Sequence, residues 1–255
     1  MIDVTVLPPW YLILLVLGVA FFYASAGFGG ATGYLAVLSL FIIPHTVVAS
    51  TALALTTLVA GVAFVTYWRA GHFQPRLLLP FLVTSVPAAF IGGSIKVSEG
   101  FYFLLLYTCL TAIGLYMLLG RKTGKDGAPN YPPPWWAALL SGVVVGLLSG
   151  IIGLGGGVII APIILLSGWG TPKQTAASTA GFILANGFSG LVGRALGDNL
   201  MFGLFGLALL PVGFIGGVAG SRLGVRYFNG ATLRRLLGGF LLIAAGRYWV
   251  GLLVA

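Results

Sequence analysis

The chain has 255 residues, of which 59% are hydrophobic and 7% charged, and its mean hydropathy is +1.08. Soluble domains carry about 25% charged residues, so this composition excludes a soluble domain and points to a multi-span helical membrane protein. The net charge of +9, from 13 Lys and Arg against 4 Asp and Glu, belongs at membrane edges and to topology, not to nucleic-acid binding.

Along the chain, Pro8-Pro9-Trp10 precedes the first apolar run without a basic segment, so no cleavable signal peptide is expected. The first run, 10–43, is 34 residues long and is interrupted by Gly27-Phe28-Gly29-Gly30. Runs 47–68, 77–95 and 101–120 each fit one span. Cys109 lies in the third of these and reads as a small apolar residue. Residues 121–134 are polar and Pro-rich, and read as a cytoplasmic linker. A second 34-residue run, 135–168, is broken by Gly153-Leu154-Gly155-Gly156-Gly157. Runs 175–193, 200–221 and 236–254 complete the chain. The runs are continuous rather than alternating, which argues against a membrane β-barrel.

The second half repeats the first. Pro8-Pro9-Trp10 returns as Pro133-Pro134-Trp135, and Gly27-Phe-Gly-Gly30 as Gly153-Leu-Gly-Gly156. Ala49-Ser-Thr-Ala52 returns unchanged as Ala177-Ser-Thr-Ala180. Pro87-Ala-Ala-Phe-Ile-Gly-Gly93 returns as Pro211-Val-Gly-Phe-Ile-Gly-Gly217. The four offsets are 125, 126, 128 and 124, in chain order. The units are therefore residues 1–120 and 135–255, joined by 121–134.

A 34-residue run is too long for one straight span and short for two. If each run crosses once, Lys and Arg divide seven against six between the two faces. If each folds back as a hairpin, they divide ten against three, with Asp3, Glu99 and Asp198 on the three-residue side. The bias of basic residues toward the cytoplasm favours the hairpins. The expected fold is an all-α integral membrane protein of two inverted repeats. Each holds a re-entrant or broken helical hairpin plus three transmembrane helices, about eight hydrophobic segments in all. Both termini then lie outside the cell and the Arg-rich loops inside, in the inner (plasma) membrane.

Inverted repeats with broken helices are a transporter architecture, with substrate near the midplane where the breaks meet. No charged residue occurs from Val4 to Trp68 or from Gly127 to Pro172. A site at the breaks must use backbone amides, hydroxyls and amide side chains, which suits an anion or a neutral polar solute better than a bare cation. The candidate binding residues are Gly29, Gly30 and Thr32 in the first hairpin, and Gly155, Gly156 and Gly157 in the second. Ser50, Thr51, Ser178 and Thr179 join them, either as substrate hydroxyls or as capping and packing groups. Recurring unchanged, they should serve one role in both copies. Asn186 either lines the path or bonds a neighbouring helix. Arg194, at a span end, snorkels or attracts anions at the outer mouth. Pro87, Pro211 and their Gly pairs serve packing. His45 and His72 are isolated surface residues. No metal, cofactor or catalytic residue is expected.

At Ser149-Gly-Ile-Ile-Gly-Leu-Gly-Gly-Gly157 with Pro162, at Ala177-Ser-Thr-Ala180, and at the weaker first copy with Pro44, the sequence resembles the TauE/SafE family of sulfite exporters. The resemblance covers essentially the whole chain. Ala31 stands where the second copy has its third glycine, Gly157. The resemblance implies export of sulfite or a related small organosulfur or organic anion. The partners it implies are that anion and the lipid bilayer, with a homodimer among the assemblies it allows. Alternating access around the midplane site is the expected mechanism. An aquaporin-like channel is the alternative, although Asn130, Asn186, Asn199 and Asn229 are not followed by Pro. An integral-membrane enzyme would need acid–base or metal clusters that four acidic and two isolated His residues do not supply.

Overall fold

The computed structural model describes residues 7–41, 43–119 and 133–227, together with 242, 245, 246, 249 and 250. The 121–134 linker and the 236–254 span fall mostly outside the described residues. Nine helices follow one another in the three long segments. They are α1 (Trp10–Ser25), α2 (Ala31–Ser39), α3 (His45–Arg69), α4 (Pro75–Ser94) and α5 (Glu99–Leu119), then α6 (Trp135–Ile152), α7 (Gly157–Leu166), α8 (Pro172–Leu196) and α9 (Gly203–Tyr227). Six of them, α3, α4, α5, α6, α8 and α9, are long and apolar enough to cross a membrane. The chain is thus an all-helical, multi-pass membrane protein. Trp10, Trp68, Trp135 and Trp136 are exposed at helix ends, the place amphipathic rings take at a membrane–water interface.

Small residues let the helices approach closely, and their contacts give the helix directions. Gly142, Gly146 and Gly150 on α6 meet Phe81, Ser85 and Ala89 on α4, in that order. Thr84 Oγ1 donates to the Leu139 carbonyl at 2.8 Å along the same seam. Helices α4 and α6 therefore run parallel. In the same way Gly216, Gly220 and Gly224 on α9 meet Leu17, Phe21 and Ser25 on α1. These two also run parallel. Gly181, Leu184, Gly187 and Gly190 on α8 meet Phe64, Gly61, Thr57 and Leu53 on α3 in reverse order. Helices α3 and α8 are antiparallel.

The duplicated Gly pairs do what packing requires, as the sequence suggested. Gly92 faces Leu147 on α6 and Gly93 faces Gly190 on α8. Gly216 faces Leu17 on α1 and Gly217 faces Val59 on α3. Each pair thus binds the broken arm of the other half with one glycine and its long helix with the next. Without a hydrophobic driving force inside lipid, such close backbone contact is a main source of helix association. Pro80 and Pro87 lie within α4 and Pro211 within α9, and both helices continue through them.

The directions also resolve the 34-residue runs. Helices α6 and α8 both run parallel to α4, since Leu78 and Phe90 of α4 meet Gly181 and Gly193 of α8. The run between them must return to the face from which it started. Trp169 accordingly lies over Phe81, ring centroids 6.2 Å apart, close to where Gly142 begins the α6 seam. Helices α1 and α3 are likewise both parallel to α9: Thr51 meets Gly206, and Thr66 Oγ1 lies 3.3 Å from Ser221 Oγ. Both runs are returning hairpins with unequal arms. The 16 and 18 residues of α1 and α6 span roughly 24–27 Å, whereas the 9 and 10 residues of α2 and α7 span roughly 14–15 Å, half a bilayer core. One near-full crossing plus one half-crossing explains why 34 residues sufficed.

The helix ends sort the charges. Arg69, Arg76, Lys173 and Arg222 share one face. His72 lies there too, its imidazole held below the ordinary pKa by burial and by the charge of Lys173. Lys96 and Asp198 form a 3.7 Å ion pair on the other face. Both partners are exposed, so the pair contributes little.

Candidate functional site

The site is built where the two hairpins break. Gly30 (φ 90°) precedes α2, and Gly153, Gly155 and Gly156 (φ 88°, 65° and 74°) lead into α7, a left-handed backbone that side chains with a Cβ adopt at a cost. The breaks sit at one place. A Cβ on Gly29 would meet Thr56 Cγ2 at 2.7 Å and Ile183 Cγ2 at 3.1 Å. A Cβ on Gly155 would meet the same two atoms at 2.8 and 2.9 Å. Thr56 is the twelfth of the 25 residues of α3, and Ile183 the twelfth of the 25 of α8. Both breaks therefore converge at mid-height, on the crossing of the two central helices. Neighbouring glycines interlock the halves. Gly153 abuts Ala49 in the first half and Gly27 abuts Ala176 in the second.

The half-helices present amide groups there. The first backbone bond of α2 is Tyr34 N–H to the Gly30 carbonyl, and that of α7 is Ile159 or Ile160 N–H to the Gly156 carbonyl. The N–H groups of Ala31, Thr32 and Gly33, and of Gly157 and Val158, precede those bonds. No side chain caps α2. At the protein surface, by contrast, α8 has a complete capping box between Thr171 and Gln174. Donors at the positive end of a helix, buried and uncapped, suit a negatively charged group.

Four buried hydroxyls lie in the first halves of α3 and α8: Thr56 and Thr179 stand at the breaks, whereas Thr51 faces Gly206 on α9. Thr51, Thr56, Ser178 and Thr179 are at most 1% exposed, and their oxygens lack a hydrogen-bond partner among the described residues. Elsewhere in this protein threonines bond back to their own helix. Thr57, Thr66, Thr108 and Thr111 donate to the carbonyl four residues earlier at 2.6–2.8 Å. The inner hydroxyls forgo that bond. Thr179 lies against Gly157, at the first residue of α7.

Several sequence expectations are refined here. The Ala-Ser-Thr-Ala segments do not start their helices. Helix α3 begins at His45 and α8 at Pro172, with Thr171 as the cap, so these hydroxyls are interior and not N-caps. The two copies also differ. Ser50 Oγ donates to the Asn199 carbonyl at 3.4 Å and accepts from Met201 N–H at 3.3 Å, tying down a loop, whereas Ser178 Oγ has no such partner. Thr32 Oγ1 is engaged by the Tyr23 hydroxyl at 2.8 Å. Asn186 takes neither expected role fully: its Nδ2 donates to Phe182 O of its own helix at 2.9 Å, and its Oδ1 is buried without a partner among the described residues. Arg194 neither snorkels nor stands at an open mouth. It is 2% exposed and donates from Nη2 to the carbonyls of Gly150 (3.0 Å) and Ile151 (2.6 Å) at the end of α6.

Residues not singled out from sequence are Thr56, Ile183, Tyr34, Tyr67 and Tyr102. A signal for three of them was present. Ala49, Leu53, Thr56, Ala60, Ala63 and Tyr67 recur at steps of four and three residues along α3, and are all buried. Ala176, Ala180, Ile183, Gly187, Gly190 and Arg194 repeat the same steps along α8. Those steps mark one helix face. A groove of about 710 Å³ between α4 and α8, lined by Leu79, Leu82, Phe90 and Phe188, is apolar and open, and lies apart from the two breaks.

Membrane-length helices enclose two glycine-broken half-helices whose breaks meet at mid-height, an architecture found among membrane transporters. The chain belongs to the sulfite exporter TauE/SafE family, whose model matches residues 12–248. It is 34% identical over 235 residues to the probable membrane transporter protein y4hK of Sinorhizobium fredii, covering 89% of this chain and 95% of that one. It is 27% identical over 211 residues to a probable membrane transporter protein of Xylella fastidiosa, covering 80% of this chain and 79% of the relative. No solved structure is significantly similar to it.

Proposed function

We propose that the protein exports sulfite or a closely related small organosulfur or organic anion by alternating access of two inverted halves. The observation that carries this reading is the convergence of Gly29 and Gly155 on Thr56 and Ile183 at mid-height. In the proposed site the anion accepts bonds from the amides at the starts of α2 and α7 and from Thr56 and Thr179, which stand at the breaks. No Asp or Glu lies in either hairpin to repel it. The antiparallel crossing of the corresponding helices α3 and α8 supports inversion of the halves. Each half can then close one side of the site in turn. The Arg69, Arg76, Lys173 and Arg222 face is assigned to the cytoplasm. A negative-inside potential would drive anion exit by about 2.3 kcal/mol per charge per 100 mV.

Orientation is tested by His45→Cys and Lys173→Cys, placed at the starts of α3 and α8. A membrane-impermeant thiol reagent applied from outside is expected to label position 45 and leave 173 unlabelled. Labelling of both from the same face contradicts the inversion. The function is tested with purified protein in liposomes loaded with sulfite, thiosulfate, small sulfonates or small carboxylates. Saturable efflux of at least one of these anions is expected. Passage of neutral solutes without anion flux contradicts the proposal, and flux that does not saturate replaces the carrier with a pore.

A further inference from the structure

The two breaks share a glycine pattern and differ in charge. A hairpin break brings together the negative end of the entering helix and the positive end of the returning one, and the first opposes whatever the second attracts. In the first half the last four carbonyls of α1 are all satisfied by neutral groups. Phe22 O accepts from Ser25 Oγ, Tyr23 O from Ala26 and Phe28 N–H, Ala24 O from Gly27 N–H, and Ser25 O from the Tyr67 hydroxyl at 3.1 Å. In the second half the last four carbonyls of α6 are satisfied too, but with a cation. Ser149 O accepts from Gly153 N–H, Gly150 O and Ile151 O from Arg194, and Ile152 O from the Tyr102 hydroxyl at 3.1 Å.

Tyr67 and Arg194 stand at nearly corresponding positions, one residue out of the register set by the repeated Ala-Ser-Thr-Ala. Each is the twenty-third residue of a 25-residue helix, α3 or α8, and each caps the end of its own half's broken arm. Arg194 keeps its charge even when buried. Among the described residues it has no carboxylate partner, and its Nε has no partner of any kind. A buried cation ordinarily has a counter-ion.

We infer that Arg194 cancels the negative end of α6 and makes the second hairpin the electropositive one, so that the anion is held chiefly at the start of α7, beside Thr179, and is drawn toward the face opposite Arg69 and Arg76. This rests on the proposed anion site and names the residue that sets its charge. Arg194 is a positioning residue: it acts through the α6 carbonyls and need not touch the substrate. The first half, capped by a neutral tyrosine, attracts the anion less. The pathway is therefore electrically asymmetric although its backbone is duplicated.

The test is sulfite binding to purified protein in nanodiscs, with thermal stability measured alongside. Arg194→Gln keeps an amide donor for the α6 carbonyls and removes the charge; its affinity is expected to fall about ten-fold. Arg194→Lys keeps the charge and is expected to stay within about three-fold of wild type. Tyr67→Arg leaves Arg194 in place, adds a cation at the first break, and is expected to tighten binding about three-fold. A purely structural cap predicts instead that affinity follows stability in every variant, with no gain in Tyr67→Arg. The inference is overturned by unchanged affinity in folded Arg194→Gln, by a ten-fold loss in folded Arg194→Lys, or by an unchanged or weaker folded Tyr67→Arg. Wild-type protein that binds none of sulfite, thiosulfate, small sulfonates and small carboxylates overturns the proposed function itself.

Discussion

Gly155→Ala is expected to reduce anion efflux from liposomes at least about ten-fold, while Gly18→Ala leaves it unchanged. Gly155 has φ 65°, where an alanine costs about 1–2 kcal/mol. The added methyl would also stand 2.8 Å from Thr56 Cγ2 and 2.9 Å from Ile183 Cγ2, far inside ordinary contact. Neither neighbour can turn away freely, since both are branched at Cβ and held in helices. The turn must shift, carrying with it the amides at the start of α7. About 1.4 kcal/mol of lost site stabilisation is a factor of ten, and the backbone strain alone reaches that range. Gly18 makes the comparison clean, because a methyl there has nothing within 4 Å. Efflux retained in Gly155→Ala would remove the breaks from the transport path.

Thr179→Val is expected to raise the KM for efflux about ten-fold without lowering thermal stability. Valine has the shape of threonine, so the core against Gly157 and Ile183 is preserved. The hydroxyl it removes is buried and without a partner among the described residues. Deleting an unsatisfied buried group is neutral or stabilising to the fold, whereas deleting a hydrogen bond to a charged ligand costs about 1.5–3 kcal/mol. Stability and transport should therefore move apart, which a packing role would not produce. A fall in melting temperature with an unchanged KM would assign Thr179 to packing. Thr57→Val serves as the contrast. That hydroxyl donates to Leu53 O at 2.6 Å, so its loss is expected to leave the KM untouched.

Much of the architecture was legible because a membrane leaves few options. Long uncharged runs had to be helices, since lipid supplies no partner for a free backbone. The repeated glycine breaks located the half-helices, and charge sorting favoured hairpins over single crossings. The structure added the unequal arms of those hairpins. Hydropathy does not report where a helix stops inside an apolar run; the left-handed glycines do. The interior of the site was less legible. Thr56 carries no motif, and only the pairing of α3 with α8 shows that both breaks rest on it. Arg194 looked like a span-end arginine because it lies two residues before the end of α8. Its real surroundings depend on the far end of α6, some forty residues earlier in the chain. Sequence similarity between Ser50 and Ser178 likewise hid a difference, because the Asn199–Met201 loop that engages Ser50 is not repeated at Ser178 among the described residues.

The most direct test of a single shared site is the stoichiometry of sulfite binding when each hairpin is altered alone. One saturable site per chain is predicted in the wild type, lost or strongly weakened in Gly29→Val and in Gly155→Val alike, because both glycines meet at Thr56 and Ile183. Two independent sites per chain, each surviving alteration of the other hairpin, would contradict it.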